Sequence, residues 1–498
     1  MQTVAAQWVM ISLTSSPLLL SSVSAAGSIP VLLLGIPAGV LGDLVDRRGL
    51  IIVAQLTMLL AAGALAALAA AGSLTAALLI GLLFVIGVGG ALGAPTWQTL
   101  QPELVPAEDR QQAIALGSVN QNLARAVGPA IGGLLLAATS AAMVFLANAV
   151  SFVAVLGAVI VTPVPRRTST LPREHAITAA RAGGRFVQNS PVLLALIIRS
   201  IAFVFLASAT WALLPLVAHH RLGLGSTGYG LLLGCVGLGA LLAANFGPAL
   251  RQRLSPRGIY GLACSAIAGA SLLLAVTHSV ALAAVALVVA GAAWITGLGL
   301  LNTAYQSQLP TWVKARAFAF YLVAFQGASG IGALCLGAIA QGSSVSAGLL
   351  TAAGGLVAVT VLTWRLALPL GNATDALIAE PLPLPSVSEA GAGPVIVTVE
   401  YRIAAGNEEG VLALMGELRR MRRRTGAVHW HLQRDVDKPG TFTETFVVGS
   451  WPEHERQHAR IQGSDLSVLD KIETLLEPGG SRSVRHSIGV RVSRSSQA

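Results

Sequence analysis

The chain has 498 residues, of which 54% are hydrophobic and only 11% are charged, and its mean hydropathy is +0.72. Soluble domains carry about a quarter charged residues, so most of this chain is too apolar to face water. From His175 to Thr374 there is no Asp or Glu. The net charge of +10 does not indicate a nucleic-acid-binding protein, because the basic residues before position 370 occupy short loops rather than one continuous face.

Eleven apolar runs are long enough to cross about 30 Å of hydrocarbon as helices. They cover residues 18–41, 50–71, 74–97, 113–137, 141–162, 193–217, 226–249, 258–277, 280–302, 317–340 and 344–366. Residues 1–14 form a shorter run, because 14 residues at 1.5 Å each reach only about 21 Å. The sequence therefore predicts a polytopic membrane protein whose first span is incomplete.

The basic residues of the loops are distributed very unevenly. One set of alternate loops carries thirteen of them, whereas the opposite set carries only Arg221. The thirteen are Arg47, Arg48, Arg110, Arg166, Arg167, Arg173, Arg181, Arg185, Arg251, Arg253, Arg257, Lys314 and Arg316. By the positive-inside rule the arginine-rich loops are cytoplasmic. We expect a multi-pass protein of the inner (plasma) membrane, with the central loop and the C-terminal region in the cytoplasm.

The two halves of the helical region resemble each other. Arg48-Gly49 recurs 209 positions later as Arg257-Gly258, and Gln98 and Pro102 recur 208 positions later as Gln306 and Pro310. This predicts two parallel six-helix halves with a substrate site at their interface near the membrane midplane. The same offset aligns the helix ending near Val217 with one ending near Trp8. About fifteen residues of the first span are therefore missing, and we expect the natural chain to start upstream or this chain to be a truncated product.

Six segments make up the predicted organisation. The first half spans 1–162, the central loop 163–192, the second half 193–370, a Pro/Gly linker 371–393, an α+β domain 394–492 and a tail 493–498.

A short polar motif lies between the second and third spans. It reads Gly42-Asp43-Leu44-Val45-Asp46-Arg47-Arg48-Gly49 and resembles the cytoplasmic signature loop of the major facilitator superfamily. Glycine permits a tight turn, and a carboxylate beside a helix end with paired arginines can form a charge latch between moving halves. The alternative is an ordinary positively charged loop. The equivalent stretch of the second half, 251–258, lacks carboxylates.

The fifth span carries Gly128, Pro129, Gly132 and Gly133, which resemble the Gly-Pro motif of the superfamily's exporters. Pro129 can bend the helix and the glycines admit a neighbouring helix. A kinked packing helix without any transport direction is the alternative interpretation.

The run from Pro95 to Leu136, together with Ala212–Val217, is similar to the subgroup that contains enterobactin-exporter-type siderophore exporters. The resemblance implies an all-α transporter that is secondary active, works by alternating access and exports a small amphipathic or anionic metabolite such as a siderophore. Multidrug efflux is the alternative. Antiport is implied, yet the complete spans contain no carboxylate, so the coupling ion stays unassigned.

Two arginines lie within predicted spans, Arg125 and Arg199. A charge inside the membrane is costly and usually faces a cavity, so we expect them to bind an anionic substrate group. The alternatives are snorkelling of Arg199 to the interface and capping of carbonyls near Pro129 by Arg125. The polar and aromatic side chains expected along the substrate path are Trp97, Gln98, Asn120, Asn122, Asn302, Gln306 and Gln326.

After the linker, alternating and helical patterns predict strands at 395–403, 427–435, 441–450 and 483–491 and helices at 406–424 and 451–475. This βαββαβ order indicates a ferredoxin-like α+β fold. The segment from Glu444 to His458 resembles the dimeric α+β barrel of the antibiotic-biosynthesis monooxygenase family. The interpretations left open are an enzyme, a sensing or dimerising module, and a passive scaffold. The five arginines between Arg419 and Arg424 suggest either attraction to anionic lipid or a favourable charge at a helix end.

A metal cluster is one interpretation of four histidines of this domain, His429, His431, His454 and His458. His429 and His431 are two apart on one strand, and no carboxylate triad or thiolate accompanies the four. We therefore expect no metal, no cofactor and no catalytic residue; the chain also lacks a Gly-rich nucleotide loop and a nucleophile elbow. The expected partners are a small-molecule substrate, the lipid bilayer and a second chain bound through the C-terminal domain.

Overall fold

The computed structural model describes residues 2–100, 104–106, 109, 112, 116–117, 124, 128, 131–162, 176–310, 312–365, 368, 393–477 and 482–489. The chain divides into two compact units. The helical unit comprises 1–176, 196–303 and 319–369, and the second unit comprises 177–195, 304–318 and 370–498. Two segments that the sequence assigns to the central loop and to the second half thus belong with the C-terminal domain.

Long helices dominate the chain up to residue 363. They are α1 Gln2–Leu13, α2 Pro17–Leu44, α3 Arg47–Ala70, α4 Ala76–Leu100, α5 Ala141–Val161, α6 Ala176–Gln188, α7 Pro191–Leu216, α8 Ser226–Arg253, α9 Pro256–Val276, α10 Val280–Ser307, α11 Lys314–Gly342 and α12 Val345–Thr363. Residues 131–138 are also helical. Ten helices among the described residues are long and apolar enough to cross a membrane. They match ten of the eleven predicted spans, and the eleventh, 113–137, lies mostly outside the described residues.

Serine caps define several helix starts. Ser16 accepts a hydrogen bond from the Leu19 backbone N–H and Ser255 accepts one from Gly258, and a proline follows each of them at the first helical position. Ser140 and Ser344 cap α5 and α12 in the same way. A serine oxygen satisfies a free N–H of the first turn, and proline has no N–H to leave unpaired there. Serine, alone or followed by proline, therefore marks in the sequence where these four helices begin.

A large cluster of buried apolar residues lies near one end of the helical unit. We call the end with the α1–α2, α3–α4 and α7–α8 connections the arginine-poor end, and the end with the α2–α3 and α8–α9 connections the arginine-rich end. The large core cluster joins residues of both halves near the arginine-poor end, such as Met10, Phe145, Leu213 and Leu349. Near the arginine-rich end a small cluster holds Ile51, Leu100 and Val159, all from the first half. Apolar residues of both halves therefore pack together at the arginine-poor end.

The C-terminal domain is a four-stranded antiparallel sheet with helices. Its elements are β1 Val395–Arg402, α13 Glu408–Thr425, β2 His429–Arg434, β3 Thr441–Val448, α14 Trp451–His458, α15 Gly463–Glu473 and β4 Ser483–Ile488. The strand order is β2-β3-β1-β4, with β1 paired to β3 from Val395↔Val448 to Arg402↔Thr441. The predicted βαββαβ order and α+β class are confirmed.

One predicted helix of this domain is two helices. The pattern over 451–475 predicts continuity, but α14 ends at His458 and α15 begins at Gly463. The Gln462 N–H donates to Asp465 at 2.9 Å, and the two side chains form a reciprocal capping box. Such a box satisfies the free N–H groups of a new helix start, so the chain turns here instead of continuing.

The domain core follows from the alternation of β1. Val395, Val397, Val399 and Tyr401 are all nearly inaccessible, and they pack with apolar residues of α13 in one cluster. Successive side chains of a strand point to opposite faces, so one face of the sheet is covered by the helices.

Candidate functional site: a cavity between the helical halves

A cavity of about 350 Å³ lies inside the helical unit. Helices of both halves contribute to it: α1, α2 and α4 from the first half, and α7 and α11 from the second. Its described lining is Gln2, Thr3, Val23, Ser24, Gly27, Ser28, Leu83, Ile86, Gly87, Ser208, Trp211, Ser329 and Ala333. Four serines, Gln2, Thr3 and Trp211 thus give a wall that is otherwise apolar its hydrogen-bonding capacity.

The cavity lies at mid-depth. Ser28 is about 11 residues into α2 from its arginine-poor end, and Ala333 is about 9 residues from the corresponding end of α11. At 1.5 Å per residue these positions are about 14 to 17 Å deep, which is near the middle of a hydrocarbon layer about 30 Å thick. Transporters built from two repeats bind their substrates at this level.

A buried polar network closes the cavity toward the arginine-poor end. The Gln7 amide, 5% exposed, donates to Ser24 Oγ at 3.2 Å and to the Trp211 carbonyl at 3.5 Å. Its Oε1 accepts from the Tyr229 hydroxyl at 2.6 Å, and Trp8 stacks on Tyr229 with ring centroids 5.8 Å apart. One amide on α1 therefore ties the first half to α7 and α8 of the second.

Trp211 has an unused hydrogen-bond donor. Its indole Nε1 is buried and has no hydrogen-bond partner among the described residues. The ring is held edge-on against Trp294 at 5.5 Å, and Trp294 stacks on Phe203 at 5.9 Å. A buried donor without a partner is costly, so a bound molecule with an acceptor would gain free energy here.

The structure places the predicted substrate-path residues in different surroundings. Arg125, Asn120 and Asn122 lie outside the described residues, as does the side chain of Gln98. Trp97 is 40% exposed, and Asn302, Gln306 and Gln326 are half-buried. None of Trp97, Asn302, Gln326 and Arg199 is in the described lining of the cavity, and Gln306 belongs to the second unit. Their part in transport stays a prediction.

Arg199 is buried, with 3% of its surface exposed. It lies beside a separate small cavity that Arg257, Tyr260 and Trp364 also line. The Tyr260 hydroxyl donates to the Arg199 carbonyl oxygen at 3.1 Å. A position about eight residues into α7 places this pocket nearer the arginine-rich end than the central cavity.

Two residues of the signature loop make hydrogen bonds within the first half: one caps a helix and the other connects two helices. The Asp46 carboxylate caps α3 by accepting from the Gly49 N–H at 2.8 Å. Arg48 donates to the Ile160 carbonyl at the end of α5. Gly42 and Asp43 belong to α2, and their surroundings lie outside what is described, while Arg47 is half-buried. The latch between moving halves stays a prediction.

The glycines of the Gly-Pro motif lie where two helices meet. Gly128 is helical, Pro129 lies outside the described residues, and Gly132 and Gly133 are buried. Gly133 meets Gly230 of α8 backbone to backbone, so that a Cβ on Gly230 would lie 2.6 Å from the Gly133 Cα. This is the close helix approach for which small residues are used in membranes.

In the second unit, the C-terminal domain contacts two segments of the helical region. The Arg424 guanidinium lies 5.7 Å from the ring centre of Phe186 on α6. The Arg460 guanidinium lies 4.4 Å from the ring of Trp312, in the α10–α11 connection. The two rings meet edge-on at 5.6 Å. We call these four residues the arginine–aromatic clamp, and they hold three chain segments together.

Two of the five arginines at the end of α13 form ion pairs inside the domain, whereas Arg419 and Arg420 are exposed. Arg422, 9% exposed, donates to both oxygens of Glu444 at 3.1 and 3.3 Å, and Arg424 forms an ion pair with Asp465. Glu444 is fully buried and also accepts from the Tyr401 hydroxyl at 2.7 Å and the Trp430 indole at 2.8 Å. Burial lowers the pKa of Arg422, but the charges of Glu444 and Tyr401 together with hydrogen bonds to both side chains leave that pKa raised.

The histidines that the sequence grouped together are separated. His429 and His431 are on β2, at the opposite sheet edge from β4, about 14 Å away at about 4.8 Å per strand. His454 and His458 of α14 instead lie beside His486 of β4. No local sequence pattern groups His486 with them, because only the strand order brings it there.

Two helical halves around a mid-depth cavity define a membrane transporter. The whole chain agrees: residues 1–495 match the family described as transmembrane secretion effector. The chain therefore belongs to the transmembrane secretion effector family of the major facilitator superfamily, as the sequence led us to expect.

Curated relatives include exporters. The chain is 30% identical over 199 residues to the uncharacterized MFS-type transporter YfiS of Bacillus subtilis (39% of this chain, 46% of the relative). It is 27% identical over 214 residues to macrolide efflux protein A of Streptococcus pyogenes (41% and 51%). It is 31% identical over 159 residues to the enterobactin exporter EntS of Shigella boydii (32% and 37%). The matches thus span about half the length of these relatives or less.

Solved structures show the same fold. A POT family transporter in complex with 5-aminolevulinic acid superposes with a TM-score of 0.58 and 13% identity, covering 72% of this chain and 91% of that one. At this identity the likeness concerns the fold alone.

Proposed function

We propose that the protein exports a small amphipathic molecule by alternating access, with the 350 Å³ cavity as its binding site. The observation that carries the proposal is the cavity itself. It lies at the interface of the two halves, and the indole N–H of Trp211 in its wall has no partner among the described residues. The efflux function of two curated relatives supports outward transport.

The lining favours an uncharged polar substrate over an anion. No charged side chain is among the described lining residues. Ser24, Ser28, Ser208 and Ser329 offer hydroxyls that both donate and accept, and leucine and isoleucine side chains supply apolar surface. A macrolide-like or siderophore-like molecule, with many oxygens on an apolar frame, has this chemistry. Broader multidrug efflux is the alternative, and the same cavity would serve it.

The packing of the halves fits loading from the arginine-rich side. The halves are closed at the arginine-poor end by the Gln7 network and by Gly133 against Gly230. If the arginine-rich loops are cytoplasmic, this arrangement receives substrate from the cytoplasm, as an exporter must before each outward step.

The decisive test compares metabolites retained by cells that lack the gene with those of cells that express it. Ser28→Phe fills the cavity, whereas Ser151→Phe adds the same ring to an exposed position of α5. We expect the intact protein and Ser151→Phe to lower the retained level of the same compound and Ser28→Phe to leave it high. Equal export by both variants at equal membrane abundance would refute the cavity as the binding site.

For the C-terminal domain we propose a sensing role. Its arginine–aromatic clamp on α6 and on the α10–α11 connection supports a module that responds with the transporter. Dimerisation through the domain is the alternative. Light scattering of the purified protein separates them, because a mass of one chain per particle excludes the dimer.

A further inference from the structure

Three histidine rings of the C-terminal domain form a compact cluster. His454 and His458 are four residues apart on α14 and share one face of the helix, and His486 reaches them from β4. The His454 ring centre lies 4.7 Å from that of His458 and 5.0 Å from that of His486. One ring nitrogen from each residue can be chosen so that all three lie within 4.8 Å of one another.

The hydrogen bonds of Gln457 determine which nitrogen of His454 is free to bind. The Gln457 amide Nε2 donates to the Arg422 carbonyl at 3.4 Å, so its Oε1 is an acceptor facing His454. Nδ1 of His454 lies 3.0 Å from this oxygen and must carry the proton. Nε2 therefore presents a bare lone pair. An imidazole held by one nitrogen so that the other can coordinate is the usual arrangement at metal sites.

The Nε2 lone pair of His454 accepts a hydrogen bond from none of the described residues. His454 is fully buried, and neither its Nε2 nor the Nε2 of His486 has a hydrogen-bond partner among the described residues. A buried acceptor left unpaired is a cost that a bound ion would remove.

Positive charge nearby is largely compensated. Arg422, a buried cation of the same domain, is paired with Glu444 at 3.1 Å. Trp451, 2% exposed, covers the cluster with its ring 5.6 Å from His454 and 5.8 Å from His486. An apolar cover of this kind restricts solvent access to a metal site.

We propose that His454, His458 and His486 form a binding site for a divalent transition-metal ion that favours imidazole, such as Zn²⁺, Cu²⁺, Ni²⁺ or Co²⁺. Imidazole suits these ions, whereas Mg²⁺ and Ca²⁺ prefer oxygen ligands. A tetrahedral ion at 2.0 to 2.1 Å from each nitrogen needs the nitrogens about 3.3 Å apart, so side-chain shifts of about 1 Å close the site. His458 and His486 are half-buried, which leaves a fourth position for water or a small ligand.

The test uses the full-length protein in detergent, purified without a polyhistidine tag and stripped with a chelator. Each of the four ions is added alone, excess is removed, and bound metal per chain is measured by mass spectrometry of the elements. Co²⁺ adds a second readout, because coordination by three imidazoles produces visible d–d absorption. We expect about one ion per chain, with Cu²⁺ bound most tightly.

Variants locate the site. His486→Gln and His458→Gln, both half-buried, are expected to weaken binding at least 100-fold, and Gln457→Leu about 10- to 100-fold. The double variant His429→Gln/His431→Gln removes two histidines from the far sheet edge and serves as the matched control, with unchanged binding. Circular dichroism of metal-free samples confirms that each variant is folded.

Three results would overturn the assignment. They are no ion retained by the wild-type chain at micromolar metal, full retention in His486→Gln, and an equal loss in the His429→Gln/His431→Gln control. A folded His486→Gln variant keeps the first two outcomes decisive even if His454 variants fail to fold.

Discussion

Gly133 and Gly230 meet backbone to backbone near the arginine-poor end, where the helix of residues 131–138 in the first half crosses α8 of the second. A Cβ on Gly230 would lie 2.6 Å from the Gly133 Cα, and there is no flexible side chain that can give way. The contact joins the halves at the end where the large core cluster also lies. The closed side of the transporter therefore depends on two residues that have no side chain.

Gly230→Ala should destabilise this closure. Overpacking of a tight contact costs about 1–3 kcal/mol, so we expect a lower thermal midpoint in detergent and greater labelling of cysteines placed near Gln7. Gly63→Ala is the control, because no atom lies within 4 Å of a Cβ at Gly63 and alanine favours helix. A Gly230→Ala protein as stable as Gly63→Ala would contradict the packing.

Trp211→Phe tests the free indole donor separately from the ring. Phenylalanine keeps an aromatic wall and removes the N–H. A lost hydrogen bond of about 0.5–1.5 kcal/mol corresponds to about a 2- to 13-fold rise in KM for the exported compound. Trp364→Phe, at a 57% exposed position outside the cavity, should leave export unchanged. An unaltered KM in Trp211→Phe would show that the donor does not contact substrate.

The sequence predicts some of these features and not others, for physical reasons. Ten spans follow from apolar length and the strands of the C-terminal domain from alternation, and both are local properties. The roles of Ser208 and Trp211 do not follow, because a helix that is apolar all round has no periodicity to show which face meets a cavity. The four serines near mid-depth of three spans were the available signal. His486 joins His454 only through the order β3-β1-β4, which no local pattern reveals.

The buried pair of Arg422 and Glu444 predicts a large stability effect. Glu444→Gln leaves a buried guanidinium without its counter-charge, which costs about 3–5 kcal/mol. Hydrogen exchange of the β1 and β3 amides, measured by mass spectrometry, should show this as faster opening of the domain. Glu408→Gln removes the exposed partner of Arg434 and should change stability by less than about 1 kcal/mol. Similar exchange in both variants would argue against a buried ion pair.

Tyr401 gives the domain a pH dependence in alkali. Burial, and then the adjacent Glu444 charge, raise the pKa of the Tyr401 phenol above its usual value near 10. The unfolded chain releases this proton near pH 10 while the folded domain retains it. The unfolded state then binds fewer protons, and stability falls as pH rises, by up to about 1.4 kcal/mol per pH unit. Thermal midpoints between pH 9 and 11 should fall less steeply in Tyr401→Phe; parallel slopes would exclude this origin.

The arginine–aromatic clamp predicts that the domain protects α6. Arg460 is 4.4 Å from the Trp312 ring and its side chain is 6% exposed, whereas Arg424 is 5.7 Å from Phe186 and 19% exposed. A desolvated cation–π contact contributes about 2 kcal/mol and an exposed one about 0.5–1 kcal/mol, so the Arg460–Trp312 pair should show the larger coupling energy. Combining Arg460→Ala with Trp312→Ala in a double-mutant cycle isolates it, with amide exchange of residues 176–188 as the readout.

Arg434→Ala is the matched control for the clamp, because Arg434 lies 5.7 Å from Phe442 within the same domain and is not a member of the clamp. Its loss should leave the exchange of α6 unchanged. Arg460 also donates to Glu453 at 2.6 Å and to the Thr425 carbonyl at 3.0 Å. Arg460→Lys keeps the positive charge but removes the planar guanidinium that makes both hydrogen bonds at once. Protection of α6 that survives both Arg460→Ala and Arg424→Ala would mean that the C-terminal domain does not hold this helix.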